Sequence, residues 1–184
     1  MSYDIKEIWE AYEARSRKWL DSAILEKTYK NMPVFELYEM FKHCPKDGNN
    51  GKWDGERGNS TWYPDREYVP QKNNPEGKTW GEILDKYGIK GIKYKDGEPD
   101  FSEVCEAEVE IDDFSDNRSD NFDKADIALA KQRGCTPEEI AKWRKENGYT
   151  WHECKDMKTM QLVPREIHNN LPHSGGISEK RRGG

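Results

Sequence analysis

Long apolar runs are missing from this chain. No stretch approaches the roughly 18 consecutive apolar residues that a membrane-spanning helix requires, and none has the shape of a secretory h-region. The expectation is a soluble protein without a membrane anchor. Export by a route that uses no cleaved leader, or release from a larger carrier, stays open. Cysteine is sparse as well: Cys44, Cys105, Cys135 and Cys154 lie 61, 30 and 19 residues apart, with no C-x-x-C pair. That spacing describes no disulfide framework, so free thiols are expected. Histidine is as scarce, with four in 184 residues.

Apolar residues make up 33% of the chain and charged residues 36%, which limits the core to one modest domain, with room for a helical extension. Seven Trp and nine Tyr offset this in part, because each buries a large area. The net charge of −6 is unevenly spread. Residues 1–94 balance, residues 95–130 carry a net −10, and residues 131–184 carry a net +4. A polyanionic substrate would favour the last segment and avoid the middle one. The acidic block reads either as a solvated face or as an attractor for a basic partner.

Apolar periodicity predicts a helix over 3–30, with Ile5, Ile8, Trp9, Tyr12, Trp19, Leu20, Ile24 and Leu25 in register. A second helix is expected over about 33–43, closed by His43, whose place at a helix C-terminus is explained by the dipole. Residues 45–78 are rich in turn signals but hold Trp53, Trp62, Tyr63 and Tyr68, which argue for an ordered loop. Arg57 in this loop can contact phosphate or stabilise turns. Thr79-x-x-Glu82 is a capping box that opens a short helix ending at Gly88. Strands are expected at 89–94 and 104–111, and helices at 121–133 and after Thr136-Pro137-Glu138-Glu139.

The carboxyl-terminal segment carries the chemistry. Three of the four histidines, His152, His168 and His173, fall in the last 33 residues. Tyr149 to His152 reads as a strand, Lys155 to Lys158 as a turn, Thr159 to Val163 as a second strand, and Pro164 as the start of a short helix ended by Pro172. Such a strand–turn–strand–helix unit brings His152 beside the helix bearing His168. Imidazole is the commonest side-chain metal ligand, and an open metal site next to a carboxylate is hydrolytic machinery. Cys154 would share the face of His152 on a strand. Residues 177–184 read as a flexible basic tail.

Tyr149-Thr150-Trp151-His152-Glu153, then Met160-Gln161-Leu162-Val163-Pro164, His168 and His173-Ser174-Gly175-Gly176 resemble the HNH/endonuclease VII superfamily of ββα-metal (His-Me finger) nucleases. The resemblance is greatest to toxin domains named for a Trp-His-His signature, found in bacterial polymorphic toxins and related to colicin DNases. The motif covers residues 149–176. Gly55–Ser60, Thr79–Leu84 and Asp100–Ser102 also resemble sequence upstream in such toxins, which extends coverage to about two-thirds of the chain.

The resemblance implies an α+β fold with a mostly helical N-terminal part and a C-terminal ββα-metal unit. Its implied organisation is a helical extension over 1–45, a toxin-domain scaffold over 46–148, the nuclease motif over 149–176 and the tail. It implies one divalent ion (Zn²⁺, Mg²⁺ or another transition metal) on His152, His168 and His173. The implied function is an endonuclease acting on DNA, with RNA possible. Such a toxin is a secreted or delivered effector that works in the target-cell cytoplasm in interbacterial competition, with a cognate immunity protein and a carrier or secretion machinery as partners.

The second residue of the pair usually activates water, and this chain has Glu153 there instead of His. The base is then Glu153, a metal-bound hydroxide, or His152 with fewer metal ligands. Adjacent strand residues point to opposite faces, so His152 and Glu153 share a site only if the strand ends or bulges there. The superfamily's middle Asn has no clear counterpart, with Thr159 near its place. Arg165, Lys155 and Lys158 are candidates for flanking phosphates. The rival reading is a non-catalytic, zinc-stabilised ββα module that binds nucleic acid or protein, with Cys154 as a fourth ligand.

Overall fold

A computed structural model describes residues 34–183, and the helix expected over 3–30, with most of the helical N-terminal part, lies outside the described residues. The described elements run α1 (Val34–Phe41), β1 (Gly51–Trp53), β2 (Thr61–Pro64), α2 (Trp80–Lys86), β3 (Ile92–Lys95) and β4 (Glu98–Asp100). They continue with β5 (Ala107–Glu110), α3 (Arg118–Arg133), α4 (Pro137–Glu146), β6 (Tyr149–Glu153), β7 (Thr159–Pro164), α5 (Arg165–His168) and α6 (Gly176–Arg182). Helices with antiparallel sheets make an α+β protein. No helix among the described residues is long and apolar enough to cross a membrane.

Local chemistry sets several of these boundaries. Both Thr79 with Glu82 and Thr136 with Glu139 form reciprocal capping boxes, and Pro137 occupies the first turn after Thr136. Asn117 caps α3 by accepting from the Ser119 N–H, so that helix starts three residues before the expected Asn121. Two strands, β1 and β2, form a hairpin inside the segment expected to be a loop, and Trp53 lies over Trp62 with ring centroids 5.3 Å apart. Residues 177–182, expected within a flexible tail, belong to a helix that starts at Gly176.

Two sheets divide the interior. The first is a meander in the order β1-β2-β3-β4; the second has the order β5-β7-β6, which leaves β6 on an edge. One core gathers Trp53, Trp62, Trp80, Ile83, Leu84, Tyr94 and Phe101 with Val163, Ile167 and Leu171. The other gathers Val109, Leu129 and Ile140, from β5 and the helices α3 and α4, with Trp151, Met160 and Leu162. The second sheet therefore stands between the two cores, and the alternation of side chains along β6 and β7 assigns each residue to one of them.

Trp151 is fixed with particular care. Its indole N–H donates to Asp126 Oδ1 at 2.8 Å, and Asp126 also receives a bidentate pair from Arg144 at 2.9–3.2 Å. All three side chains are buried. A planar guanidinium fork on a carboxylate restricts orientation as well as distance, so α3 and α4 together set the position of the strand that carries His152.

Candidate metal centre

β6 and β7 pair without interruption from Tyr149 opposite Pro164 to Glu153 opposite Met160, so the strand has no bulge. His152 consequently faces Phe101, while its neighbours Trp151 and Glu153 face α3. Because β6 is an edge strand, the chain after α5 can cross its free side. It does so between His173, edge-on to Phe101, and Ile177, packed against the other core. His152 and Glu153 reach one cavity from the two sides of this edge. The cavity has a volume of about 200 Å³ and is also lined by Arg118, His168, His173, Ser178 and Arg181.

The three rings converge over Phe101, which is fully buried; its centroid is 4.9 Å from His152, 5.6 Å from His168 and 6.0 Å from His173. One ligand-capable nitrogen from each histidine lies within 4.8 Å of the others. His168 ends α5, whose first turn is tied to β6 by Arg165, through its backbone N–H to Gly148 and its Nε to Tyr149 O. The long loop supports the next segment, with Asn169 bound to Asn73 and Asn170 bound to Lys72. An ordered loop thus buttresses the stretch between two of the histidines.

Burial pushes all three imidazoles below the usual histidine range, with His168 adding to the effect on His152 and His152 to that on His173. Neutral imidazoles carry the lone pair that a metal requires. Nδ1 of His173 meets Leu171 O at 2.7 Å and Nδ1 of His168 meets Asn169 Oδ1 at 2.9 Å. We assign the proton to Nδ1 in both rings, which frees each Nε2 as an acceptor.

His152 tests whether these residues fit a cation. Its Nδ1 stands 3.2 Å from His168 Nε2, and its buried Nε2 has no hydrogen-bond partner. Glu98 Oε1 is 3.5 Å from that Nε2, within ion-pairing range but without hydrogen-bond geometry. With the proton on Nδ1, a buried lone pair faces a carboxylate. With the proton on Nε2, two lone pairs face each other across the 3.2 Å gap. Either tautomer leaves a polar nitrogen unsatisfied, at a cost of about 1–3 kcal/mol. A cation among the rings removes the conflict and leaves the proton on Nε2, 3.5 Å from the Glu98 carboxylate that favours it. The residues fit a divalent ion.

Glu153 is 5% exposed. Its Oε1 accepts from Asn121 Nδ2 at 2.8 Å, and its Oε2 accepts from Arg118 Nε at 3.1 Å. Cys154 groups with Glu98 and His152 rather than with all three histidines, and burial raises its thiol pKa.

None of the four cations named as phosphate contacts lines this cavity. Arg57 donates to the carbonyls of Cys44 and Pro45, and Arg165 to those of Tyr149 and Arg144. The Lys155 ammonium donates to Asp96 O, and that of Lys158 pairs with Glu110. Each of the four is engaged with protein acceptors away from the three rings. Nothing in the local sequence pattern singles out Glu98, Arg118 or Asn121, and Arg181 reads there only as part of the basic tail. Phe101 belongs to the upstream resemblance, which implies no role for it at the rings.

Residues 91–175 match the family described as the DNase/tRNase domain of colicin-like bacteriocin. The match supports a nuclease toxin domain. It covers 85 of the 184 residues and contains all three clustered histidines, Glu98 and Glu153. No curated protein matches the chain.

Proposed function

We propose that the protein is a metal-dependent endonuclease of the HNH, ββα-metal type that hydrolyses DNA phosphodiester bonds as an antibacterial toxin. The observation that carries this reading is the convergence of His152, His168 and His173, with His152 left unsatisfied without a cation. These three residues would hold one divalent ion. Imidazole donors suit Zn²⁺ and other transition metals better than Mg²⁺, which prefers oxygen. Such an ion, when bound, stabilises the negative charge that develops on the phosphate and the departing oxygen.

The chain's own residues supply the rest. Glu153 lines the same cavity and is the proton acceptor for the attacking water, held in place by Asn121 and Arg118. Phe101 and the buried faces of the rings lower the local dielectric, which strengthens each electrostatic contact inside. Glu98 orients His152. In this reading the toxin is delivered to a target cell by a carrier or secretion machinery. Its cognate immunity protein would be a partner in the producing cell.

The rival, a closed zinc module without catalysis, requires a fourth protein ligand. Among the described residues, no His, Cys, Asp or Glu joins the three rings within 4.8 Å, which favours an open position and the enzyme. Incubation of the purified protein with plasmid DNA and with RNA, with and without chelator, beside a His168→Ala variant, tests the proposal. Chelator-sensitive cutting of DNA that the variant lacks supports it. Chelator-insensitive cutting, or full activity in the variant, contradicts it.

A further inference from the structure

We infer that Arg118 and Arg181 form a two-residue phosphate clamp at the mouth of the histidine cavity, gripping the nucleic-acid backbone on either side of the bond to be cut. The inference rests on the nuclease reading and adds its substrate contacts. Both arginines line the cavity, although Arg118 starts α3 and Arg181 lies near the end of α6.

Arg118 is anchored, unlike an ordinary surface arginine. Its side chain is 65% exposed, yet its Nε donates to the Glu153 carboxylate, whose side chain is 4% exposed. That carboxylate is held in turn by Asn121, which is fully buried and also bonded to both the N–H and C=O of Ser115. One edge of the guanidinium is therefore fixed to the core. Its terminal nitrogens make no further hydrogen bond among the described residues. A planar fork held by one edge and open on the other matches the bidentate geometry of phosphate oxygens.

Arg181 is placed by packing. Gly175 and Gly176 lie flat on the carbonyls of Glu153 and Cys154. A Cβ on Gly175 would come within 2.8 Å of Glu153 O, and one on Gly176 within 2.5 Å of Cys154 O. Ile177 then packs, half-buried, against the core to which α3 contributes and pins the first turn of α6. Arg181 follows Ile177 by four residues and shares its helix face, which turns the exposed guanidinium toward the cavity. The basic residues at the chain's end are thus brought to the site by a helix.

The clamp is tested by binding a short fluorescein-labelled DNA duplex to metal-stripped protein, so that no cleavage intervenes, over a range of salt concentrations. Each phosphate contact contributes a slope of about −0.9 to log K against log salt. Arg118→Ala and Arg181→Ala should each lower the slope's magnitude by about that amount, with Arg118→Lys restoring it. Zinc binding by the variants should stay at the wild-type level. Wild-type affinity and slope in both alanine variants would overturn the clamp, as would failure of the wild-type protein to bind the duplex. If Arg118→Ala fails to fold, Arg181→Ala alone decides, because that side chain is exposed on a terminal helix. A wild-type protein that binds with the clamp's salt slope but never cuts with metal added would sink the nuclease reading and leave the clamp standing. Cutting with unaltered slopes in the variants would do the reverse.

Discussion

Glu98 Oε1 lies 3.5 Å from Nε2 of His152, although 54 residues separate them in the chain. The carboxylate comes from the first strand sheet and the imidazole from the second, so the contact exists only once the two sheets have packed. Glu98 is also fixed by the Lys155 N–H at 2.7 Å, and burial raises its pKa above the usual carboxylate range. Glu98→Gln keeps the shape and an oxygen for Lys155 but removes the charge that favours Nε2–H. The expected outcome is a zinc affinity lower by about 10–100-fold in calorimetric titration, with the fold unchanged. Unaltered affinity would remove Glu98 from the centre.

Phe101 should prove structural and functional at once. It is fully buried beneath the three rings, so Phe101→Ala opens a cavity where they rest. A loss of about 3–5 kcal/mol in denaturant unfolding is expected, with weaker metal binding alongside. Phe101→Leu should retain most of both. An alanine variant as stable as wild type would contradict this packing.

Asp126 holds Arg144 and Trp151 together in a buried unit. Removing it leaves a buried guanidinium without its carboxylate and an indole N–H without an acceptor. Asp126→Ala should therefore cost about 3–5 kcal/mol of stability. Since β6 loses its fixed position, metal affinity should fall too. Urea unfolding of the metal-stripped protein measures the first effect apart from the second.

Glu153→Gln addresses the proton acceptor. A carboxamide cannot take the proton from water, so kcat should fall by about 10²–10⁴-fold, with a small change in KM and intact zinc binding. Near-normal turnover would leave Glu153 as an anchor for Arg118 and Asn121 only.

Legibility from sequence followed locality. The capping boxes at Thr79 and Thr136 were readable because each is complete within four residues. The convergence of His152, His168 and His173 was legible because a strand pair, a short helix and the few residues after that helix carry them. β1 and β2 were not, since three- and four-residue strands amid Gly and Asn gain their stability from the Trp53–Trp62–Tyr94 packing. α6 has a single apolar anchor, the half-buried Ile177, and its helix depends on contacts that no local pattern announces. Strand alternation suggested that His152 and Glu153 would share a site only through a bulge or a strand end. The edge position of β6 supplies another route, and sheet order is a tertiary property.

The account turns on three neutral imidazoles sharing one ion. Calorimetric titration of Zn²⁺ into metal-stripped protein tests this most directly, with wild type beside a His168→Ala/His173→Ala double variant. The account predicts one site per chain in the wild type and its loss in a folded double variant. No binding by the wild type, or equal binding by both, would contradict it.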